Sequence, residues 1–354
     1  ITQAAAAQGF FYAPDPSSQV ACTVGGNIAT NSGGAHCLKY GVTVNNLLGV
    51  RMVMVDGEIV DFGGAYLDAP NYDFLPLITG SEGQRGVVTE ASVRLLAAPD
   101  SARPVLLGFD SATAAASCGA AIIASGIVPV AIEFMDRPAI HVCEHFVPAG
   151  YPLDAEAALI VEVEGSEDEI EYLLEKIEDI AQDYNPTSVR RSQSAEESAL
   201  IWKGRKAAFG AIGQISDYMC MDGVIPLSAL PEALNGVSLI CRKYRFDVAN
   251  IFHAGDGNLH PLILYDANDP GQLERVELCG AEILKLCVEL GGCLTGEHGV
   301  GIEKRELMYE QFTDEDIDQQ VRIKEELDPN WLLNPGKVFP ILGRDALKPT
   351  MDLT

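Results

Sequence analysis

The sequence predicts an α+β fold, in which a glycine-rich part made of strands and loops precedes a part where strands and helices alternate. Residues 1–98 are rich in glycine and in short β-type runs, and the Asp56-Gly57 pair between two of these runs is a hairpin signal. From about Pro104 onward, apolar strand-like runs alternate with helical patterns. A chain of 354 residues, 47% of them hydrophobic, is long enough to bury the cores of two domains.

The alternating part gives a clear signal for each of its elements, because apolar residues follow the period of a strand or of a helix. A Gly291-Gly292 pair marks the end of its last helix. The predicted elements are a strand at 104–110, a helix that ends near Ser125, strands at 130–136 and 157–165, helices at 167–183, 195–210 and 227–244, a strand at 247–253, and a helix at 270–290.

Composition excludes several classes of partner. The formal net charge of −27 repels phosphate backbones and anionic lipid headgroups, so we expect no nucleic acid partner. The nine cysteines form no C-x-x-C pair and their number is odd, which favours a reducing, cytoplasmic location over a disulfide framework. No apolar stretch is long enough to cross a bilayer and no signal peptide opens the chain, so we expect no integral membrane segment.

The richest chemistry lies in the segment HAGDGNLH at 253–260. On a straight helix, His253 and His260 would be roughly 10 Å apart, too far to share an ion. The glycines, aspartate and asparagine between them are typical of a tight turn instead. Because apolar strand-like runs flank the turn, we expect a strand-turn-strand that brings the two histidines together.

A second glycine-flanked cluster, TGEHGVG at 295–301, offers a carboxylate and a third histidine. His253, His260 and Glu297 together form a common three-ligand set for a divalent ion, and the adjacent His298 is then available as a base. A single buried histidine is more often a hydrogen-bonded core residue than a ligand. Two such clusters, which hold half of the six histidines of the chain, favour a site.

These motifs carry a resemblance to a known family. Together with LNPGKVFP at 333–340, they resemble the C-terminal half of the flavin-linked D-2-hydroxyacid oxidoreductases, which include the flavin-binding subunit of glycolate oxidase, flavin-type D-lactate dehydrogenases and D-2-hydroxyglutarate dehydrogenase. The first hundred residues resemble the second half of a flavin domain of the vanillyl-alcohol oxidase or p-cresol methylhydroxylase (PCMH) type. The matching segments there are DPSS at 15–18, TVGGN at 23–27, NSGG at 31–34, KYG at 39–41 and GSEG at 80–83.

The resemblance implies an organisation in three parts. Residues 1–100 would form an incomplete PCMH-type FAD-binding domain, residues 101–325 a ferredoxin-like α+β substrate domain with the metal site, and residues 326–354 a helical segment that returns to the flavin domain. The family's glycine-rich pyrophosphate loop normally lies upstream and is absent here, so we expect the isolated chain to bind FAD weakly or not at all. Segments 202–226 and 260–266 are most similar to the glycolate oxidase branch, with flavin-type D-lactate dehydrogenase next.

The resemblance also implies the residues that bind FAD. Glycines there allow the backbone to approach a large planar cofactor, although such a run by itself is more often a set of turns. No G-x-G-x-x-G opens a helix after a strand, so a nicotinamide site is not expected. The implied FAD-binding residues are Asp15, Thr23, Gly25, Gly26, Asn27, Thr30, Asn31, Gly33, Gly34, Gly86, Val88 and Asn334.

For catalysis, the resemblance implies a divalent metal, Zn or Mn, held by His253, His260 and Glu297, with His298 as the base that accepts the hydroxyl proton. Arg205 matches an arginine that pairs with the substrate carboxylate in relatives, the alternative being an ordinary surface arginine on a helix. The hydride on the α-carbon would pass to the flavin.

Two further pairs of residues differ from those of some relatives. Phe209 and Cys220 stand where the longer-substrate dehydrogenases carry polar groups, which argues for a short substrate such as glycolate or D-lactate. Gln84-Arg85 follows GSEG where relatives carry a Thr or Met and an apolar residue. The arginine would either reach a phosphate or face solvent, and we expect solvent.

We therefore expect an FAD-dependent oxidoreductase that converts a short 2-hydroxy acid to the 2-oxo acid. The alternatives are a non-catalytic fragment or assembly subunit of a glycolate oxidase complex, and a metal-dependent hydrolase. By analogy with relatives, a second flavin-like subunit and an iron–sulfur subunit are expected partners. We expect a cytoplasmic protein, with any membrane association peripheral and made through those subunits.

Overall fold

The computed structural model describes residues 1–66 and 72–340, and the chain forms two compact units. The first unit comprises Ile1–His36, Tyr40–Ala98 and the chain from Leu294 onward, and the second unit comprises Cys37–Lys39 and Pro99–Cys293. No helix in the described ranges is both long enough and apolar enough to cross a bilayer.

The elements of the first 98 residues are short. Thr43–Asn46 forms a single 3₁₀ turn among them. The helices and strands, in chain order, are α1 (Thr2–Ala6), β1 (Phe10–Phe11), α2 (Val24–Thr30), α3 (Cys37–Tyr40), β2 (Leu47–Val53), β3 (Ile59–Gly63), α4 (Leu75–Ile78), β4 (Val87–Val93) and β5 (Leu96–Ala97).

An antiparallel three-stranded sheet in the order β3-β2-β4 forms the centre of the first unit, and β1 pairs separately with β5. The hairpin predicted at Asp56-Gly57 is confirmed, because β2 and β3 pair on either side of it and Gly57 has a φ of +88°. Ile28 of α2 packs against the sheet, with Met52 of β2 and Ile78 of α4 in the same buried cluster.

The second unit contains longer elements. Four helices and four strands were predicted to within three residues of their observed ends. The helices are Glu167–Gln182, Ala195–Gly213, Leu230–Tyr244 and Pro270–Glu289, and the strands are Ser101–Phe109, Ala131–Asp136, Ala157–Gly165 and Asp247–His253. In chain order the elements are β6 (Ser101–Phe109), α5 (Ala112–Ala124), β7 (Ala131–Asp136), α6 (Arg137–Phe146), β8 (Ala157–Gly165), α7 (Glu167–Gln182), β9 (Ser188–Arg191), α8 (Ala195–Gly213), β10 (Asp217–Cys220), α9 (Leu230–Tyr244), β11 (Asp247–His253), β12 (Pro261–Tyr265) and α10 (Pro270–Glu289), with a 3₁₀ turn at Leu227–Ala229.

The sheet of the second unit has seven strands in the order β10-β12-β11-β7-β8-β6-β9, all paired antiparallel. Strands β6 to β9, with α5 after β6 and α7 after β8, have the order and connections of a ferredoxin-like βαββαβ unit, with α6 inserted between β7 and β8. The predicted α+β fold with a ferredoxin-like domain is therefore confirmed.

Helices cover both faces of this sheet. Successive strand residues point to opposite faces, so each face carries its own apolar residues and buries them against helices. On one face, Phe134 and Phe252 stack at 4.5 Å between ring centroids in a core shared with α5, α7 and α9. On the other face, Met135 and Ile251 pack with residues of α6 and α8. This core on the face of α6 and α8 lies next to the residues of the candidate site described below.

The chain after Leu294 adds a 3₁₀ turn (Arg305–Leu307) and two helices, α11 (Met308–Gln311) and α12 (Asp314–Leu327), to the first unit. Thr313 and Asp316 form a capping box at the start of α12. The helix ends before Pro329, so residues 328–340 form turns rather than a continued helix. The rest of the predicted C-terminal segment, residues 341–354, lies outside the described residues.

A buried ion pair holds the end of α12. The ammonium of Lys324, 1% exposed, contacts the carboxylate of Asp328 at 2.5 Å and donates to the carbonyls of Gln84 and Leu333, each at 2.8 Å. Burial lowers the pKa of Lys324. Burial by itself would raise the pKa of Asp328, but Lys324 and two backbone N–H groups hold that pKa below its usual value.

Replacing Asp328 with asparagine is expected to lower the free energy of unfolding by about 3–5 kcal/mol, because Lys324 then remains buried without its counter-charge. The loss is to be measured by urea denaturation followed by circular dichroism. Glu325→Gln, an exposed position next to Lys324, is the matched control and should change stability little. An equal effect of the two substitutions would contradict the importance of the buried pair.

Candidate active site

The strand-turn-strand predicted for residues 253–260 is present in the second unit. His253 ends β11, His260 directly precedes β12, and the two strands pair antiparallel. Gly257 has a φ of +76°, and a Cβ there would lie 2.2 Å from the carbonyl oxygen of Ile225, so only glycine fits. The imidazole centroids of His253 and His260 are 5.2 Å apart, with the ring planes nearly perpendicular. The turn therefore brings two candidate ligands together.

A carboxylate not singled out from the sequence holds one of these histidines. Glu133 on β7 lies directly opposite His253 on β11, and its Oε1 is 2.7 Å from His253 Nδ1. Its Oε2 forms an ion pair with the guanidinium of Arg205 on α8, with 2.5 Å between Oε2 and Nη2. The side chains of Glu133 and Arg205 are 0% and 2% exposed. Arg205 is thus a core residue and not a surface arginine.

The electrostatics of this group are those of a buried carboxylate between two basic groups. Burial by itself would raise the pKa of Glu133, but the charge of Arg205 and the contact with His253 hold it below the ordinary range. The contact with Arg205 is an ion pair rather than a well-directed hydrogen bond, and among the described residues the Nε atom of Arg205 has no hydrogen-bond partner. Arg205 therefore keeps a buried donor that no acceptor among the described residues satisfies.

His260 lies beside a backbone carbonyl, an aromatic ring and the imidazole of His253. Its Nδ1 lies 3.4 Å from the carbonyl oxygen of Met221, and the ring of Phe209 lies edge-on at 6.0 Å. Cys220, at the end of β10, donates its S–H to the carbonyl of Met221. Phe209 and Cys220, which were singled out as substrate-length determinants, thus both lie in the part of the second unit that contains His260.

Glu297 and His298 belong to the first unit, in the loop after Leu294. Glu297 Oε2 accepts a hydrogen bond of 3.0 Å from the backbone N–H of Gly33, so a predicted metal ligand contacts a predicted FAD-binding residue. Gly299, with a φ of +86°, donates its N–H to Thr295 Oγ1. His298 is exposed. The geometry leaves the imidazole of His298 accessible for proton exchange.

Glu82 anchors this loop, and sequence reasoning missed its role. Its carboxylate accepts hydrogen bonds from the backbone N–H groups of Val300 at 2.7 Å and Gly301 at 2.8 Å. Glu82 itself has a φ of +51°, which is unusual for a residue with a side chain. An acidic residue between the glycines of GSEG was the one sequence feature that could have indicated this role.

The predicted FAD-binding residues of the first unit cluster around α2. Contrary to a reading of TVGGN as turns, residues 24–30 form a helix, because Thr23 caps it by accepting from the N–H of Gly26. Asn31 ends it in the left-handed conformation with a φ of +54°. A Cβ built on Gly25 would meet nothing nearer than the carbonyl of Val88, at 3.7 Å. A Cβ at Gly25 would therefore make only an ordinary van der Waals contact within the protein.

The remaining residues of this set stabilise the loop around α2. Asn27 Oδ1 accepts from Ser32, which also contacts Thr30, and Asn31 Oδ1 accepts from the N–H of Val44. A Cβ on Gly34 would lie 2.6 Å from the backbone of Asp15, and a Cβ on Gly86 would lie 2.7 Å from the side chain of Met52. Gly34 is thus required by packing against backbone, whereas Gly86 faces the end of a flexible side chain that could shift.

Asn334 and the Gln84-Arg85 pair lie in the same unit. The side-chain amide of Asn334 donates to the carbonyl of Glu82, and Gln84 Nε2 donates to the carbonyl of Asn334. Arg85 does not simply face solvent, as the sequence led us to expect, because it is half-buried and burial lowers its pKa. Within the described ranges, its Nε has no hydrogen-bond partner.

Both cofactor expectations fit the residues present. The backbone at Gly25, which is not tightly packed, and the half-buried cation of Arg85 suit a planar anionic cofactor such as FAD. The pair of adjacent imidazoles, one held through Nδ1 by a carboxylate, is the arrangement that a divalent metal uses.

Comparison with known proteins agrees with this description. The family model of the C-terminal domain of FAD linked oxidases matches residues 98–338, and that of an FAD binding domain matches residues 1–63. Glycolate oxidase subunit GlcD of Escherichia coli (strain K12) is 50% identical over 347 residues, which are 98% of this chain and 70% of that protein. D-lactate dehydrogenase of Anaerostipes hadrus is 29% identical over 350 residues, 96% of this chain and 73% of that protein.

Among solved structures, 4-ethylphenol oxidase from Gulosibacter chungangensis, in its isoeugenol complex, superposes with a TM-score of 0.74 at 16% identity, over 97% of this chain and 75% of that one. This likeness shows the fold. The fold and the family matches define an FAD-linked oxidoreductase, and they remove the support for the hydrolase alternative. The chain belongs to the FAD-linked 2-hydroxyacid oxidoreductase family.

Proposed function

We propose that this protein oxidises a short 2-hydroxy acid, glycolate or D-lactate, to the corresponding 2-oxo acid. The observation that carries the proposal is the buried group of Arg205, Glu133 and His253 beside His260, which combines a carboxylate-binding cation with two metal-binding imidazoles. It is supported by the 50% identity to a protein named as a glycolate oxidase subunit.

In this proposal the first unit holds FAD, and a divalent cation, Zn or Mn, is bound by His253, His260 and Glu297. FAD supplies the hydride acceptor, and the cation supplies a Lewis acid for the substrate hydroxyl. The FAD-binding set is the one inferred from the sequence: Asp15, Thr23, Gly25, Gly26, Asn27, Thr30, Asn31, Gly33, Gly34, Gly86, Val88 and Asn334.

Three side chains have distinct tasks toward the substrate. Arg205 binds the carboxylate, because a guanidinium offers several directed donors and its Nε has no hydrogen-bond partner among the residues described. His298 accepts the hydroxyl proton, since its imidazole is exposed, has a ring nitrogen that can take up a proton and can release that proton to solvent. Glu297 is held in orientation by the N–H of Gly33.

We expect the substrate to be short, because an aromatic ring and a thiol stand at the two positions where the resemblance places polar groups for a distal carboxylate. Phe209 presents the ring there, and Cys220 uses its S–H on the carbonyl of Met221. Glycolate and D-lactate carry one carboxylate, whereas 2-hydroxyglutarate carries two.

The partners in this proposal are a second flavin-like subunit and an iron–sulfur subunit, which would accept electrons from the reduced flavin. The support is that the Escherichia coli relative is named as a subunit of glycolate oxidase. A cytoplasmic location, with peripheral membrane association through those subunits, belongs to the same proposal.

The test is an anaerobic absorbance spectrum of the full-length gene product loaded with FAD, before and after addition of each acid. We expect glycolate or D-lactate to bleach the flavin band, and D-2-hydroxyglutarate to bleach it much more slowly. A buried polar site discriminates strongly against a ligand whose second charge finds no partner. Faster reduction by D-2-hydroxyglutarate would reject the short-substrate assignment, and a bound flavin that none of the acids reduces would reject the proposed activity.

A further inference from the structure

A fully buried carboxylate occupies a position in β7 where an apolar residue would be expected. Its neighbours Ile132 and Phe134 point into the apolar core on one face of the sheet. Glu133, like Met135, therefore points to the opposite face, toward α8. Its side chain is 0% exposed, and a charge in such a place persists only when it is paired.

The pairing of β7 with β11 determines what Glu133 meets. The strands run antiparallel, with His253 directly opposite Glu133, so the two side chains share one face of the sheet. The carboxylate uses one oxygen for Nδ1 of His253, at 2.7 Å, and the other for the guanidinium of Arg205, at 2.5 Å. One carboxylate thus holds the candidate metal ligand and the candidate carboxylate-binding arginine at once.

We infer that Glu133 is a positioning residue for both halves of the candidate site, an inference that rests on the proposed function. An ionised carboxylate only accepts hydrogen bonds, so it selects the tautomer of His253 that carries its proton on Nδ1. In that tautomer Nε2 has the lone pair that metal coordination requires. The same carboxylate fixes the guanidinium of Arg205 and balances its charge in the core.

The test uses Glu133→Gln, which keeps the volume and removes the charge, and Glu133→Ala, which also removes the acceptor. Dissociation constants for Zn²⁺ and Mn²⁺ are measured by competition with a chromophoric chelator on the metal-free full-length protein. We expect binding to weaken by about 10–100-fold in both variants. The tautomer of His253 is read from the nitrogen NMR shifts of histidine-labelled, metal-free protein, with His253→Gln used for the assignment.

We expect the proton of His253 on Nδ1 in the unmodified protein, and a shift of population to the Nε2–H tautomer in Glu133→Ala. Glu162→Gln is the matched control, because Glu162 is a buried carboxylate of the adjacent strand β8 that accepts from Trp202 on α8. It should leave both metal affinity and tautomer unchanged. Near-ultraviolet circular dichroism verifies that each variant is folded. If Glu133→Ala does not fold, the measurements are made on Glu133→Gln.

The inference is overturned if His253 carries its proton on Nε2 in the unmodified protein. It is also overturned if the tautomer populations of His253 do not change when Glu133 is replaced by alanine. The proposed function fails differently. If the unmodified protein binds neither Zn²⁺ nor Mn²⁺, the metal site is rejected, while the tautomer measurement on metal-free protein still decides whether Glu133 orients His253.

Discussion

Replacing His298 with alanine is expected to slow anaerobic flavin reduction by about 10²–10⁴-fold, the usual contribution of a positioned general base. The imidazole is exposed, so its removal leaves no cavity and should change the melting temperature little. The loop around it is held by other groups, since Glu82 accepts from the backbone of Val300 and Gly301. The measurement is stopped-flow absorbance of the flavin band after mixing with glycolate or D-lactate.

His145→Ala is the matched control for this experiment, because His145 is also exposed but lies on α6 of the second unit. Its loss should leave the rate of flavin reduction unchanged. If His298→Ala reduces the flavin as fast as the unmodified protein does, a different group accepts the hydroxyl proton. A rate that falls together with FAD content would indicate damage to the flavin site instead.

Much of the second unit could be predicted because its hydrophobic periodicity is strong. The helix Glu167–Gln182 alternates acidic and apolar faces, and Ser166 caps it. Helix α6 was not predicted, since its ten residues include Pro138 and two histidines, which weaken the helical pattern. Asp136 caps the start of α6 by accepting from the N–H of Ala139. The same residue is the last one of strand β7, so no separate capping residue marks the start of the helix.

Only part of the candidate site could be predicted from the sequence. His253 and His260 could be paired from local turn chemistry, because glycine, aspartate and asparagine in a short segment dictate a tight turn. Glu133 could not be found in this way, since its role depends on the pairing of two strands that lie 120 residues apart. In the sequence it is one polar residue within an apolar strand, and that conflict between pattern and chemistry was the only local sign of its importance.

The glycine-rich segment near the N-terminus shows a different limit. Two consecutive glycines lower helix propensity, and TVGGN is therefore more typical of a turn. Tertiary packing outweighs the propensity, because Ile28 of α2 is buried against the sheet and Thr23 caps the first turn. The FAD-binding assignments of these residues remain predictions.

Arg205→Met is expected to act on stability and on substrate binding at the same time. The substitution leaves the buried carboxylate of Glu133 without its strongest counter-charge, so we expect the free energy of unfolding to fall by about 3–5 kcal/mol. It also removes the proposed carboxylate anchor, so the substrate concentration for half-maximal flavin reduction should rise by about 10–100-fold, the usual order for a charged hydrogen-bonding partner.

The two effects are separated by the double variant Arg205→Met with Glu133→Gln. It is compared with both single variants by urea denaturation and by flavin reduction, with the divalent cation at saturating concentration because Glu133→Gln is expected to weaken metal binding. Because the second substitution removes the unpaired charge, stability should largely recover, as expected for directly coupled residues. Substrate binding should not recover, since the carboxylate still lacks its cation. If binding of glycolate or D-lactate returns along with stability, Arg205 acts only as a structural partner of Glu133, and another group binds the substrate carboxylate.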